Sequence, residues 1–382
     1  MSDLGWAPRL ATAEDNARLL ELFGDVPMEG ELALSTQRGP DFFALYRMQR
    51  GVAECWVGER AGEPGSAGLL GMGSILVRDG WLGGRAVKVG YLGDLRARFG
   101  AMRRRGLAEF YGRIFEEART RHGADVFLTG VLTHNRAAMA ALVRRSPRRP
   151  QQPWYEPFRR FSLVSIQFTG GRRLRALRAA KAAGLTISRA TPADLPELIA
   201  LLDRDHRARP FGYRFDRGEF EHRLAHWPGF SLAGTWLARD GAKLVGCTTA
   251  WDPSAVKRYR VEAYRGSLRW QKTAWNAAAR VLRWAPLPEP GSDFRTLYLC
   301  NTSIEGEDPR VLRALLEHVY EDARPRGYHL LSAPVYESDP LAPAFRGFFT
   351  RALEFQLYAV SSAAAPVKEL PPGRPGFEPA LA

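Results

Sequence analysis

Lysine is scarce in this chain, six residues against 49 arginines, and that skew, with abundant alanine, glycine and proline, points to GC-rich coding as much as to function. The formal charge of +14 therefore does not by itself indicate a nucleic-acid partner, since a basic surface attracts polyanions without specificity. The densest basic stretch, Arg144 to Lys181, reads as a solvated face or linker. Cysteine is scarce too. Cys55, Cys247 and Cys300 lie far apart on apolar, strand-like runs with no ligand spacing, so buried thiols and no metal site are expected. Long apolar runs are missing: none approaches the roughly 20 residues of a membrane span. The opening Met1-Ser2-Asp3-Leu4-Gly5-Trp6 has neither the basic start nor the apolar stretch of a secretion signal. A cytoplasmic protein with no membrane partner is the expectation.

What is present suits a globular protein of two domains. The chain has 382 residues, 45% hydrophobic, 11% aromatic and 25% charged, too long for one ordinary domain. It also repeats. Arg9-Leu10-Ala11-Thr12-Ala13-Glu14-Asp15 runs into Leu19, Leu20, Leu22 and Phe23 at helical spacing, and Ser188-Arg189-Ala190-Thr191-Pro192-Ala193-Asp194 runs into Leu195, Leu198, Ile199, Leu201 and Leu202. Each reads as a short strand and a helix capped by threonine, with acidic residues in the first turn. The order strand, helix, hairpin, long strand, helix, strand, helix, strand then occurs twice, which predicts a mixed α/β fold. The boundaries expected are a domain over 1–168, a basic Ala-rich linker over 169–184, a second domain over 185–362, and a disordered tail over 363–382.

Chemistry concentrates in the first copy. Val87 to Ala97 reads as a strand, Arg98 to Arg105 as an Arg- and Gly-rich turn, and Gly106 to Phe115 as an amphipathic helix. A strand feeding such a turn at a helix start gathers unpaired N–H groups and the positive end of the dipole, which suits a phosphate. The small Ala108 lets the backbone come close to a bulky anion.

Arg103-Arg104-Arg105-Gly106-Leu107-Ala108 resembles the Q/R-x-x-G-x-G/A signature of the GNAT (N-acetyltransferase) superfamily, and Asn135-Arg136-Ala137-Ala138 resembles the N-x-x-A start of its fourth helix. The resemblance implies two acyltransferase domains in tandem, with acetyl-coenzyme A on the first. It implies that the Arg103–Ala108 loop holds the pyrophosphate, that Leu95, Arg96 and Ala97 hold the pantetheine and thioester, and that Asn135 and Ala138 belong to the same site. Asp94 is the expected base and His134 a second catalytic candidate; Glu29, Glu31 and Tyr46 are expected to line the acceptor pocket, with Phe42 and Phe43 beside them. The acceptor would be a small-molecule or peptide amine, with no metal and no nucleic acid. Where many members carry a tyrosine that protonates the thiolate, this chain has Val143, so a non-catalytic acyl-CoA-binding or regulatory protein is the alternative. The second copy has Glu305, Glu307 and Asp308 where pyrophosphate would be received, which repels a diphosphate; it is expected to keep the fold without the cofactor. An insertion, roughly Ser254 to Pro290, carries Trp270, Trp275 and Trp284 at near-helical intervals and reads as an amphipathic helix packing between domains or in a homodimer.

Reversing charge at Arg103 and Arg105 is expected to weaken acetyl-coenzyme A binding in calorimetry; unchanged affinity would show that this loop does not receive the pyrophosphate.

Overall fold

A computed structural model describes residues 6–25, 30–60, 68–98, 104–124, 126–147, 152–367 and 369–382. Its first half runs β1 (Trp6–Leu10), α1 (Asn16–Asp25), β2 (Leu32–Gln37), α2 (Ala44–Arg47), β3 (Val52–Arg60), β4 (Leu69–Leu82), β5 (Arg85–Ala97), α3 (Arg104–His122), β6 (Val126–Leu132), α4 (Arg136–Ala138) and β7 (Trp154–Gln167). Next come α5 (Arg173–Ala182), β8 (Thr186–Arg189), α6 (Leu195–Ala208), β9 (Gly212–Tyr213), α7 (Arg217–His226), β10 (Thr235–Asp240) and β11 (Lys243–Trp251). The chain closes with β12 (Arg258–Tyr264), α8 (Gly266–Leu282), β13 (Asp293–Phe294), β14 (Thr296–Ile304), α9 (Pro309–Ala323), β15 (Leu330–Tyr336) and β16 (Thr350–Ser361).

The repeat is visible in local chemistry. After β1 the Asp15 carboxylate accepts from the Thr12 backbone N–H at 2.9 Å, and after β8 Asp194 accepts from that of Thr191 at 2.8 Å. Both satisfy a donor that a helix start leaves open. The strands then join in the order β1-β3-β4-β5-β6-β16-β7-β15-β14-β11-β10-β8. Matching each strand to its counterpart, β1 to β8, β3 to β10, β4 to β11, β5 to β14, β6 to β15 and β7 to β16, this order reads the same from either end. The two halves are thus related by a pseudo-twofold axis through the middle of one sheet.

That middle is an exchange. β16, the last strand of the second half, lies between β6 and β7 of the first, while β7 pairs with β15. Its Leu357, Tyr358, Ala359 and Val360 are at most 3% exposed, and each large apolar side chain buried this way contributes about 1.5–3 kcal/mol. A second, three-stranded sheet ties the halves again: β12 of the insertion pairs antiparallel with β2, from Arg258 opposite Gln37 to Tyr264 opposite Leu32. Within the insertion, Trp275 of α8 packs against Trp284 and Phe349, and Trp270 faces outward. No helix among the described residues is long and apolar enough to cross a membrane.

The segment after residue 363 corrects the expectation of a disordered tail. Gly376 lies so close to Gly212 that a Cβ on it would come within 2.5 Å of the Gly212 Cα. The buried Arg78 guanidinium donates to the carbonyls of Phe211 (2.8 Å), Gly212 (3.1 Å) and Gly376 (3.2 Å), and Ala380 and Leu381 sit in the core of the second half. A composition rich in proline and glycine disfavours regular elements, and does not prevent an irregular strand from docking through its carbonyls.

Leu357→Ala is expected to cost about 2–5 kcal/mol and to lower a single calorimetric transition for both halves; two separated transitions would show that the halves fold independently.

Candidate active site

β5 and β6 run parallel and pair only at Val89–Val126, Gly90–Phe127 and Tyr91–Leu128. The last tie is Thr129 Oγ1 donating to the Leu92 carbonyl at 2.8 Å. Beyond it the strands part, β6 continuing against β16. Among the described residues nothing else hydrogen-bonds to the edge of β5 that faces this opening, so backbone groups from Gly93 to Ala97 are left to bind something. At the same level β5 bulges: Ser74 faces Gly93 and Met72 faces Arg96, so Asp94 and Leu95 both stand opposite Gly73. Asp94 takes the left-handed conformation, φ 49°, which Asp tolerates better than most residues.

The bulge turns Asp94 toward α1, α2 and β2, whereas Leu95 packs on the α3 side. There its Oδ2 takes three donors: Tyr46 hydroxyl at 2.5 Å, Arg38 Nη1 at 3.2 Å and Ser74 Oγ at 3.5 Å. Oδ1 has no partner among the described residues. Arg38 is wholly buried, donates also to the Phe42 carbonyl at 3.1 Å, and lies over the rings of Phe42 and Tyr46, each 4.9 Å away. Burial alone would raise the Asp94 pKa; the Arg38 charge and the Tyr46 hydrogen bond outweigh it and hold the carboxyl below the ordinary range. Burial, reinforced by Asp94, pushes the Tyr46 phenol well up, so Tyr46 keeps its proton and acts as a donor. Lys257, from the segment before β12, and Arg96 add positive charge on the same carboxylate. The cleft is thus built by both halves.

The other expected residues fall as follows. His134 is exposed in the turn before α4 and makes no contact with the Asp94 group. Asn135 caps α4, its Oδ1 accepting from Ala138 N–H at 3.0 Å, and Ala138 packs against the α3 core with Val143; the N-x-x-A pattern has a structural reason here. Glu31 is exposed, and its carboxylate accepts from Ser267 Oγ at 3.2 Å at the start of α8. Phe42 and Phe43 belong to the apolar cluster behind Tyr46. Glu29 and Arg103 lie outside the described residues, as do the side chains of Arg104, Arg105, Leu107 and Ala108. Arg38 and Lys257 were missed, because neither stands in a motif: Arg38 meets Asp94, and the Lys257 charge comes near it, only through the tertiary fold.

The second half holds the same bulge and the same opening, filled. β14 and β15 pair only from Thr296–Leu330 to Tyr298–Ser332, and Asn301 and Thr302 together face Thr248, with Asn301 at φ 51°. Into this gap the closing segment inserts Glu378, whose carboxylate accepts from the Asn301 N–H at 3.1 Å. Arg223 holds Asn301 Oδ1 at 2.6 Å and lies 3.5 Å from the same carboxylate. At the start of α9, Asp308 caps the free amides through Arg310 N–H at 2.8 Å.

No protein-family model matches the chain, and no curated protein does. Solved structures do. N-myristoyltransferase of Saccharomyces cerevisiae with bound myristoyl-CoA is similar with a TM-score of 0.60 at 10% identity, covering 99% of this chain and 82% of that one. A GCN5-related N-acetyltransferase from Sphaerobacter thermophilus gives 0.54 at 12% identity over 100% and 99%, and a tandem GNAT protein of the clavulanic acid biosynthesis pathway 0.52 at 12% over 95% and 100%. The chain has the tandem GNAT fold.

Arg38→Met strands the Asp94 carboxylate without its counter-ion and is expected to cost about 3–5 kcal/mol, much of it recovered by adding Asp94→Asn; a double variant no more stable than the single one would contradict the ion pair. Because the Asp94 pKa is lowered by folding, its stabilisation is full above about pH 4 and is lost as the pH falls through the folded value. Asp94→Asn should therefore flatten the acid limb of a stability titration.

Proposed function

We propose that the first half transfers an acyl group, acetyl in the simplest reading, from coenzyme A to the amine of a small molecule or peptide. The observation that carries this reading is the edge of β5, without a partner among the described residues, beside a carboxylate with one oxygen committed to three donors and the other without one among those residues. The backbone from Gly93 to Ala97 and the start of α3 would receive an acyl-CoA, and proteins of the same fold are acyltransferases that include one with bound myristoyl-CoA. Bound there, the thioester supplies the activated carbonyl carbon.

An amine attacks only when neutral. Arg38, Arg96 and Lys257 disfavour an ammonium in the cleft, since like charges lower its pKa, so the nucleophile arrives as free base more often than in water. Asp94 Oδ1 accepts its hydrogen bond and orients it, and as the C–N bond forms takes the proton that the nitrogen must lose. A carboxylate held at low pKa is a weak base for a free ammonium; it suffices for the far more acidic nitrogen of the addition intermediate. Unpaired N–H groups on the β5 edge are the donors available to the oxyanion. The sulfur then leaves without a tyrosine beside it: Val143 is apolar, and Tyr155 is buried on β7, two strands from β6, with its pKa raised by burial.

That missing acid favours one other reading, a protein that binds acyl-CoA without turning it over. Asp94→Asn separates the two. Acyl transfer by this route predicts a fall in kcat of about 10²–10⁴ with acetyl-CoA affinity retained; full activity in the variant would place the base elsewhere. Wild-type protein that binds acetyl-CoA and releases no thiol with any amine would support the binding role.

A further inference from the structure

We infer that the acceptor carries a carboxylate close to its amine, and that Arg96 of β5 receives it; this rests on the acyl-transfer reading of the Asp94 site. Two guanidinium groups, Arg38 and Arg96, flank the one Asp94 carboxylate. Arg38 is committed to Asp94 and the Phe42 carbonyl. Arg96 is not so matched. Its guanidinium stacks on Phe23, 4.8 Å from the ring centre, and has one long hydrogen bond, Nη2 to Thr36 Oγ1 at 3.5 Å. No carboxylate lies within ion-pair distance of it among the described residues. Lys257 is buried, and its ammonium is already engaged by the terminal oxygen of Ala382, so Arg96 is the cation left for a ligand. The acidic side chains of the neighbouring sheet are engaged elsewhere: Glu262 is exposed and bonded to Ser35, and Asp293 faces Arg258 and Arg260.

A cation taken out of water without an anion is costly, and such groups persist where a ligand supplies the missing charge. Burial disfavours the charged form of Arg96, the Asp94 carboxylate only partly offsets this, and Arg38 adds to it. The coenzyme A diphosphate is not the partner. Its expected seat is the start of α3, and α3 packs on the opposite face of the sheet, where Leu95 points and Arg96 does not. Asp94 and Arg96 lie two residues apart in the chain and face the same apolar cluster. That closeness suits an amine and a carboxylate in one small molecule, as in an α-amino acid, better than a long polyamine, which the two arginines repel.

The test uses the full chain with saturating acetyl-CoA and measures thiol release with L-alanine and L-glutamate, each against its α-carboxamide. The acids should be preferred by about 10–100-fold in kcat/KM, the worth of a charged hydrogen bond. Arg96→Met should bring the ratio of acid to amide near unity, through KM for the acids, and Arg96→Lys should restore part of it. Equal use of acids and amides by the wild type overturns the proposal, as does an Arg96→Met variant in which kcat falls equally for both while the ratio persists; the latter would assign Arg96 to the oxyanion instead. Should no amine be acylated, the acyl-transfer reading fails and calorimetry still decides the site: with coenzyme A bound, L-alanine should bind more tightly than L-alaninamide, and that difference should vanish in Arg96→Met. No difference in the wild type refutes it.

Discussion

Everything in this molecule depends on the exchange of β7 and β16. Neither half can close its own sheet: β6 needs β16 and β15 needs β7. Sharing the two strands fixes the halves about one axis. That rigidity lets a residue of the second half, Lys257, act on the carboxylate of the first. Without it Lys257 would be a surface lysine and the Asp94 cleft would stand open to water, where charge interactions are weak.

The pseudo-symmetry makes the difference between the halves readable. Each carries a parallel pair that stops after three residues, with a left-handed bulge residue just beyond it, Asp94 in one and Asn301 in the other. Each sets an arginine on that residue, Arg38 or Arg223. In the first half the neighbouring edge has no partner among the described residues. In the second, Glu378 fills it with the chain's own carboxylate, and Asp308 covers the helix amides. The first cleft is the one we propose for a ligand, and the other is the anchor for a segment that packs across the exchange, with Phe377 against Tyr91 and Phe161.

The sequence carried the repeat, the mixed α/β class and the strand, helix and strand around Arg103–Ala108, because caps and apolar periodicity act over a few residues. The position of Asp94 near the end of β5 was also legible, since the apolar run of that strand stops there. Arg38, Lys257 and the docking of the closing segment were not: these contacts join residues from 56 to more than 120 positions apart, and in a chain of 49 arginines no local pattern distinguishes the buried ones from the rest. The bond between Glu31 and Ser267 of the insertion was hidden for a related reason, since the two meet only through the pairing of β2 with β12.

The central claim is that one half keeps its cleft for a cosubstrate while the other has closed it. A crystal structure of the full chain grown with acetyl-CoA tests this most directly. The account predicts one molecule per chain, its thioester beside Asp94 between β5 and β6, with Glu378 still on Asn301; cofactor between β14 and β15, with the closing segment displaced, would contradict it.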